Sequence, residues 1–123
     1  MNSAEHFKGK QGLTRLINAL GYSRDGLRSA WKNEAAFREE ALLAAIAIPL
    51  ALFLAETGVD RALLIGSILL VLIVEILNSA LEAVVDKASP EMHELAKRAK
   101  DMGSAAVLLS LVNAAVIWAC VLL

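Results

Sequence analysis

The chain has 123 residues, 58% of them hydrophobic, and its twelve cationic and thirteen anionic side chains leave a formal charge of −1. It is too short for two domains and too apolar for an ordinary soluble domain of its size. Its single Cys120 excludes an internal disulfide, and nucleic acid is not expected among its partners. Residues 1–12 (MNSAEHFKGKQG) are polar, contain two glycines and are expected to fray. Leu13, Leu16, Ile17 and Leu20 then recur at i, i+3, i+4 and i+7, the spacing of an amphipathic helix, with Arg15 and Asn18 off the stripe. Gly21 is expected to end that helix and Ser23 to cap a second one, in which Leu27, Ala30 and Trp31 face one way while Arg28 and Lys32 can reach phosphates. Residues 1–30 therefore read as an amphipathic segment on the cytoplasmic membrane surface, a placement compatible with packing on the bundle's flank. Without an early apolar core they do not read as a cleavable signal peptide.

Three apolar runs follow. Ala41 to Ala55 has only 15 residues and contains Pro49, so it spans only if its helix begins earlier, through Trp31, Ala35, Ala36 and Phe37; residues 31–55 then supply 25. After a tight turn from about Glu56 to Asp60, Ala62 to Val85 gives 24 residues if Glu75, Asn78, Ser79 and Glu82 are admitted, within a second span at 61–86. In the long connection KASPEMHELAKRAKDMGS, Ser89 and Pro90 are expected to start a helical turn with Glu91, His93 and Glu94 near its beginning. Ala105 to Leu123 is 19 residues without a charge, within a third span at 97–123. About 20 residues cross a hydrocarbon core of about 30 Å. The predicted fold is an all-α integral membrane protein, one membrane domain of three transmembrane helices plus the N-terminal surface helix.

Seven of the twelve cations precede the first apolar run, four lie between the second and third, and only Arg61 falls in the first connection. The positive-inside rule then puts the N-terminus in the cytoplasm and the C-terminus outside.

The chemistry concentrates in VEILNSALEAVVD, Val74 to Asp86. At about 100° per residue, Glu75, Asn78, Ser79, Glu82 and Asp86 form one stripe. Lys97, Lys100 and Ser104 are expected to share a face of the third span, and Glu34, Arg38, Ala41 and Ala45 a face of the first. Charged strips at one depth converge on one another, because a charge facing lipid costs several kcal/mol. Carboxylates with an amide oxygen make a hard-oxygen environment suited to Mg²⁺ and a polyphosphate. Glu75, the deepest carboxylate, is the most desolvated and the candidate general base. Asn78 and Ser79 read equally as polar glue between helices. Asp86 reads as a helix-end charge, His93 as a loop residue, Asn113 and Ser110 as helix contacts, and Trp31 and Trp118 as interfacial anchors. There is no Walker A motif and no GxGxxG.

The runs NEAAFREE (33–40), EILNSALEAVVD (75–86) and AKDMGSAAVLL (99–109), in this order and spacing, resemble the prokaryotic diacylglycerol kinase family over nearly the whole chain from about Leu13. That resemblance implies a homotrimeric kinase of the bacterial inner membrane that uses MgATP to convert diacylglycerol to phosphatidic acid at the cytoplasmic face, in sites built between subunits. It implies Glu75 as the base that takes the lipid hydroxyl's proton, with Asn78 supporting the reaction centre. Glu34 and Glu82 would hold Mg²⁺ on the ATP phosphates. Arg15, Tyr22, Glu91, Met92, His93, Lys100 and Asp101 would contact the nucleotide, and Arg15, Arg28, Trp31, Glu75 and Ser104 the lipid. The sequence departs from the family at Met92, where an aromatic is common, and at Lys97, often a small residue. Undecaprenol kinase, which shares EILN…E and KD, is the nearest alternative. A small proton-coupled transporter built around Glu75 is the alternative from another class.

Overall fold

In a computed structural model, residues 3–91 and 93–123 are described, with side chains from Gly9 onward. The described chain is entirely helical apart from its connections: α1 (Ser3–Asn33), α2 (Ala35–Leu54), α3 (Gly58–Ala88) and α4 (Glu94–Leu122). It divides into two compact units, residues 1–33 and residues 34–123.

In the first unit α1 is one continuous helix, which corrects two expectations: residues from Ser3 are helical, and Gly21 does not end a segment. A helical glycine costs about 1 kcal/mol but, unlike proline, removes no hydrogen bond. The Ser23 hydroxyl caps nothing; it donates to the Ala19 carbonyl at 2.8 Å, back along its own helix. Leu13, Leu16, Ile17 and Leu20 are all exposed along one stripe.

In the second unit α3 is central and packs against both α2 and α4. The expected helix from Trp31 to Ala55 is interrupted at Glu34, whose extended backbone (φ −118°, ψ 107°) makes it the N-cap of α2. Pro49 is accommodated inside α2, at an exposed position. The N-terminus of α3 is fixed by Thr57, whose hydroxyl accepts the Asp60 N–H at 3.0 Å, so the helix starts at Gly58 and the turn before it is shorter than expected. The other connection also differs. Ser89 and Pro90 start no helix: Ser89 is the C-cap of α3, its hydroxyl donates to the Glu91 carbonyl at 2.7 Å, and His93 caps α4 by accepting the Leu95 N–H at 3.1 Å through Nδ1. Met92 lies outside the described residues.

The core is made of small and branched side chains: Ala44 and Ala47 from α2, Ile68 and Val71 from α3, Ala114 from α4, with Ile48, Leu72 and Trp118 against them. Trp118 is half-buried and packs against this core. Its indole N–H donates to the Leu64 carbonyl and the Ser67 hydroxyl of α3, each at 3.2 Å. α3 and α4 are each long and apolar enough to cross a membrane, at roughly 45 Å against a hydrocarbon core of about 30 Å. α2, with 20 residues, carries Arg38, Glu39 and Glu40 in its first two turns.

Candidate active site

The contact stripe of α3 runs through Leu64, Ile68, Val71 and Glu75, at i, i+4, i+7 and i+11, all buried. Glu75 is thus a carboxylate at a core position, 5% exposed. Toward the cation-rich end the stripe continues through half-buried Asn78, Ser79 and Glu82 to exposed Asp86. Polarity and exposure rise together along it, which is the gradient the sequence pattern predicts.

On α2 the face turned to α3 differs from the one expected. Phe37, Ala44, Ala47 and Ala51 are buried, whereas Ala45 is exposed and Glu34, Arg38 and Ala41 only half-buried. The contact stripe passes through Glu40, which sequence reasoning left out. Glu40 is half-buried, and its Oε2 is enclosed without a hydrogen-bond partner. The signal was present: Glu40 precedes Ala44, Ala47 and Ala51 by 4, 7 and 11, the spacing of one helix face. Glu40 also borders an apolar groove of about 350 Å³ lined by α2, α3 and α4 and reaching Trp118.

Glu34 and Glu40 of α2 and Glu75 and Glu82 of α3 are all buried or half-buried, and carboxylates withdrawn from water are relieved by a cation or a proton. Among the described residues no three His, Cys, Asp or Glu side chains converge as a ready metal cage. Mg²⁺ is usually held by one or two carboxylates completed by the phosphates of a substrate, which needs no such pre-formed cage. Asn78 lies one turn from Glu82, and its Nδ2 donates to Glu82 Oε1 at 3.4 Å. Its Oδ1 is buried without a hydrogen-bond partner and lies against the backbone of Gly103 on α4.

The expected common face of Lys97, Lys100 and Ser104 divides. Lys100 is turned to α3, where its ammonium pairs with Asp86. Lys97 points outward and pairs with Asp101 on its own helix at 2.7 Å. Ser104 is exposed, as are Glu91 and His93 in the connection. In the first unit Arg15, Tyr22, Arg28 and Trp31 are exposed on α1, with Arg15, Asn18 and Tyr22 bordering one surface hollow.

Residues 21–122 match the family model described as prokaryotic diacylglycerol kinase. Curated relatives agree with it. The chain is 56% identical over 112 residues to the diacylglycerol kinase of Escherichia coli strain K12, covering 91% of each chain. It is 54% identical to that of Haemophilus influenzae, over 87% of this chain and 91% of the relative. To the diacylglycerol kinase of Pseudomonas aeruginosa it is 51% identical over 121 residues, 98% of each.

Proposed function

The chain belongs to the prokaryotic diacylglycerol kinase family, and from that premise we propose that it transfers the γ-phosphoryl group of ATP to the free hydroxyl of diacylglycerol, giving phosphatidic acid and ADP. The observation that carries the reading, beside the family match, is the burial of Glu75 at a core position of an apolar helix, with Glu82 and Asn78 on the same stripe nearer its cation-rich end.

In this reading Glu75 accepts the proton of the lipid hydroxyl as that oxygen attacks the γ-phosphorus and the bond to ADP breaks. Depth suits the two substrates. Glu75 lies seven residues, roughly 10 Å, deeper than Glu82, so an alcohol held in the bilayer and a triphosphate arriving from water meet between them. Glu34 and Glu82 would hold Mg²⁺, which supplies charge neutralisation on the phosphates. Lys100, Asp101, Glu91, His93, Arg15 and Tyr22 would hold the nucleotide; Met92 belongs to this set by motif. Arg28, Trp31 and Ser104, with Arg15, would border the lipid, and Asn78 would keep Glu82 in place beside the base.

The membrane arrangement follows the same logic. We propose that α2 spans together with α3 and α4, its charged first turns at the cytoplasmic interface, and that α1 lies on that surface with its exposed leucines in lipid. The protein is assigned to the bacterial inner membrane as a homotrimer, N-terminus inside and C-terminus outside. The test is product analysis: purified protein in micelles receives labelled ATP with diacylglycerol or with undecaprenol. Labelled phosphatidic acid is expected. Label appearing only in the undecaprenol product overturns the substrate, and ATP-independent proton flux without labelled lipid overturns the reaction class.

A further inference from the structure

Gly103 stands in the interior of α4, where alanine would make the better helix, yet it is buried and faces Asn78. A Cβ built there would occupy the place of Asn78 Oδ1, stand 3.1 Å from its Cγ and meet Leu81 Cδ2 at 3.7 Å. The orientation of the amide is set from the other side. A carboxylate only accepts hydrogen bonds, so Nδ2 must face Glu82 and Oδ1 must face α4. The oxygen has no hydrogen-bond partner there, so on that side only the space above Gly103 accommodates it.

We propose that Gly103 is a positioning residue for phosphoryl transfer: the missing side chain on α4 is the seat that keeps the Asn78 amide directed at Glu82. The atom a new methyl would strike is the end of a short side chain and not backbone. Gly103→Ala therefore displaces the amide and leaves the helices packed. The kinetic arm of the proposal rests on the functional reading above, and the packing arm does not.

The experiment compares wild type, Gly103→Ala, Asn78→Ala and the double variant, each as purified full chain in micelles, by initial rate against Mg²⁺ at saturating ATP and diacylglycerol and by thermal unfolding in detergent. Loss of a group that orients a metal ligand typically costs about 10–100-fold. Gly103→Ala is expected to raise the Mg²⁺ needed for half-maximal rate by about tenfold or more, while its unfolding temperature stays at or above that of wild type. With the amide gone there is nothing left to displace, so the double variant should match Asn78→Ala alone. A wild-type Mg²⁺ curve for Gly103→Ala, or a double variant whose defects add, overturns the proposal. Should Gly103→Ala fail to fold, the double variant must recover the fold, and its failure to do so is equally fatal. If wild type phosphorylates no diacylglycerol, the functional reading falls and the unfolding temperatures still decide: positions 78 and 103 must be non-additive, and additivity overturns the seat.

Discussion

Glu75 carries the greatest chemical weight for a single side chain because its position conflicts with its character. A carboxylate 5% exposed on the contact stripe of an apolar helix is expensive to keep unless its charge is used. Glu75→Gln preserves volume and shape, so the protein should purify and unfold as wild type while lipid phosphorylation falls by at least about 100-fold, the low end for a general base. Activity within about tenfold of wild type would remove Glu75 from that role. Glu34→Gln and Glu82→Gln should act differently, because each would loosen the hold on a divalent cation and not the proton transfer. Both should shift the rate curve to higher Mg²⁺ and recover much of the maximal rate at high Mg²⁺. If added Mg²⁺ rescues neither variant, the metal assignment is wrong. The stripe of Glu75, Asn78 and Glu82 was legible in sequence because polar residues spaced by three, four and seven in a hydrophobic run fall on one helix face, which cannot all turn to lipid. Gly103 was not, since nothing in its own neighbourhood says which side chain faces it across the helix pair.

At the scale of helices, the sequence defines periodicity more readily than partnership. α2 offers two small-residue faces, one through Glu34, Arg38, Ala41 and Ala45 and another through Glu40, Ala44, Ala47 and Ala51, and both satisfy the 3.6-residue repeat. Packing against Ile68 and Val71 selects the second. Ala47→Leu should therefore overpack the core and cost about 1–3 kcal/mol, whereas Ala45→Leu on the exposed face should stay within about 0.5 kcal/mol. Unfolding in mixed micelles reads the difference, and equal costs would mean that the chosen face is wrong. The α3–α4 pair has its own clamp. Trp118→Phe keeps the ring in the core but removes the N–H shared by Leu64 and Ser67. A loss of about 1 kcal/mol is expected, against almost none for an indole anchored only at an interface. Helix ends were the least legible feature, because Glu34, Thr57 and Ser89 act through local backbone geometry that a hydrophobic count does not register.

For the molecule as a whole, the difficulty is surface. Ile46, Phe53, Leu77 and Leu109 are 69%, 86%, 64% and 68% exposed, so each of the three helices in the second unit presents apolar side chains outward as well as inward. A helix apolar all round is a buried or membrane-embedded helix, which is why fold class was readable from composition while assembly was not: lipid tails and a second copy of the chain cover such a face equally well. Function separates the two. Three helices joined by alanine-lined contacts enclose little volume, and the groove of about 350 Å³ between them is partly open and apolar apart from Glu40, so these helices alone offer no closed chamber for a triphosphate as well as a lipid. The proposed trimer would close the site against water, and small residues on the outward face, such as Ala80, permit the close approach of neighbouring copies. The active particle released from micelles should accordingly have three times the 13.1 kDa mass of the chain by native mass spectrometry. Glu75→Gln should keep that mass while losing activity, because a side chain buried within one chain's own helix pair has no part in holding copies together. A fully active particle with the mass of one chain would show that a single set of helices closes the site alone, and the argument from enclosed volume would be wrong.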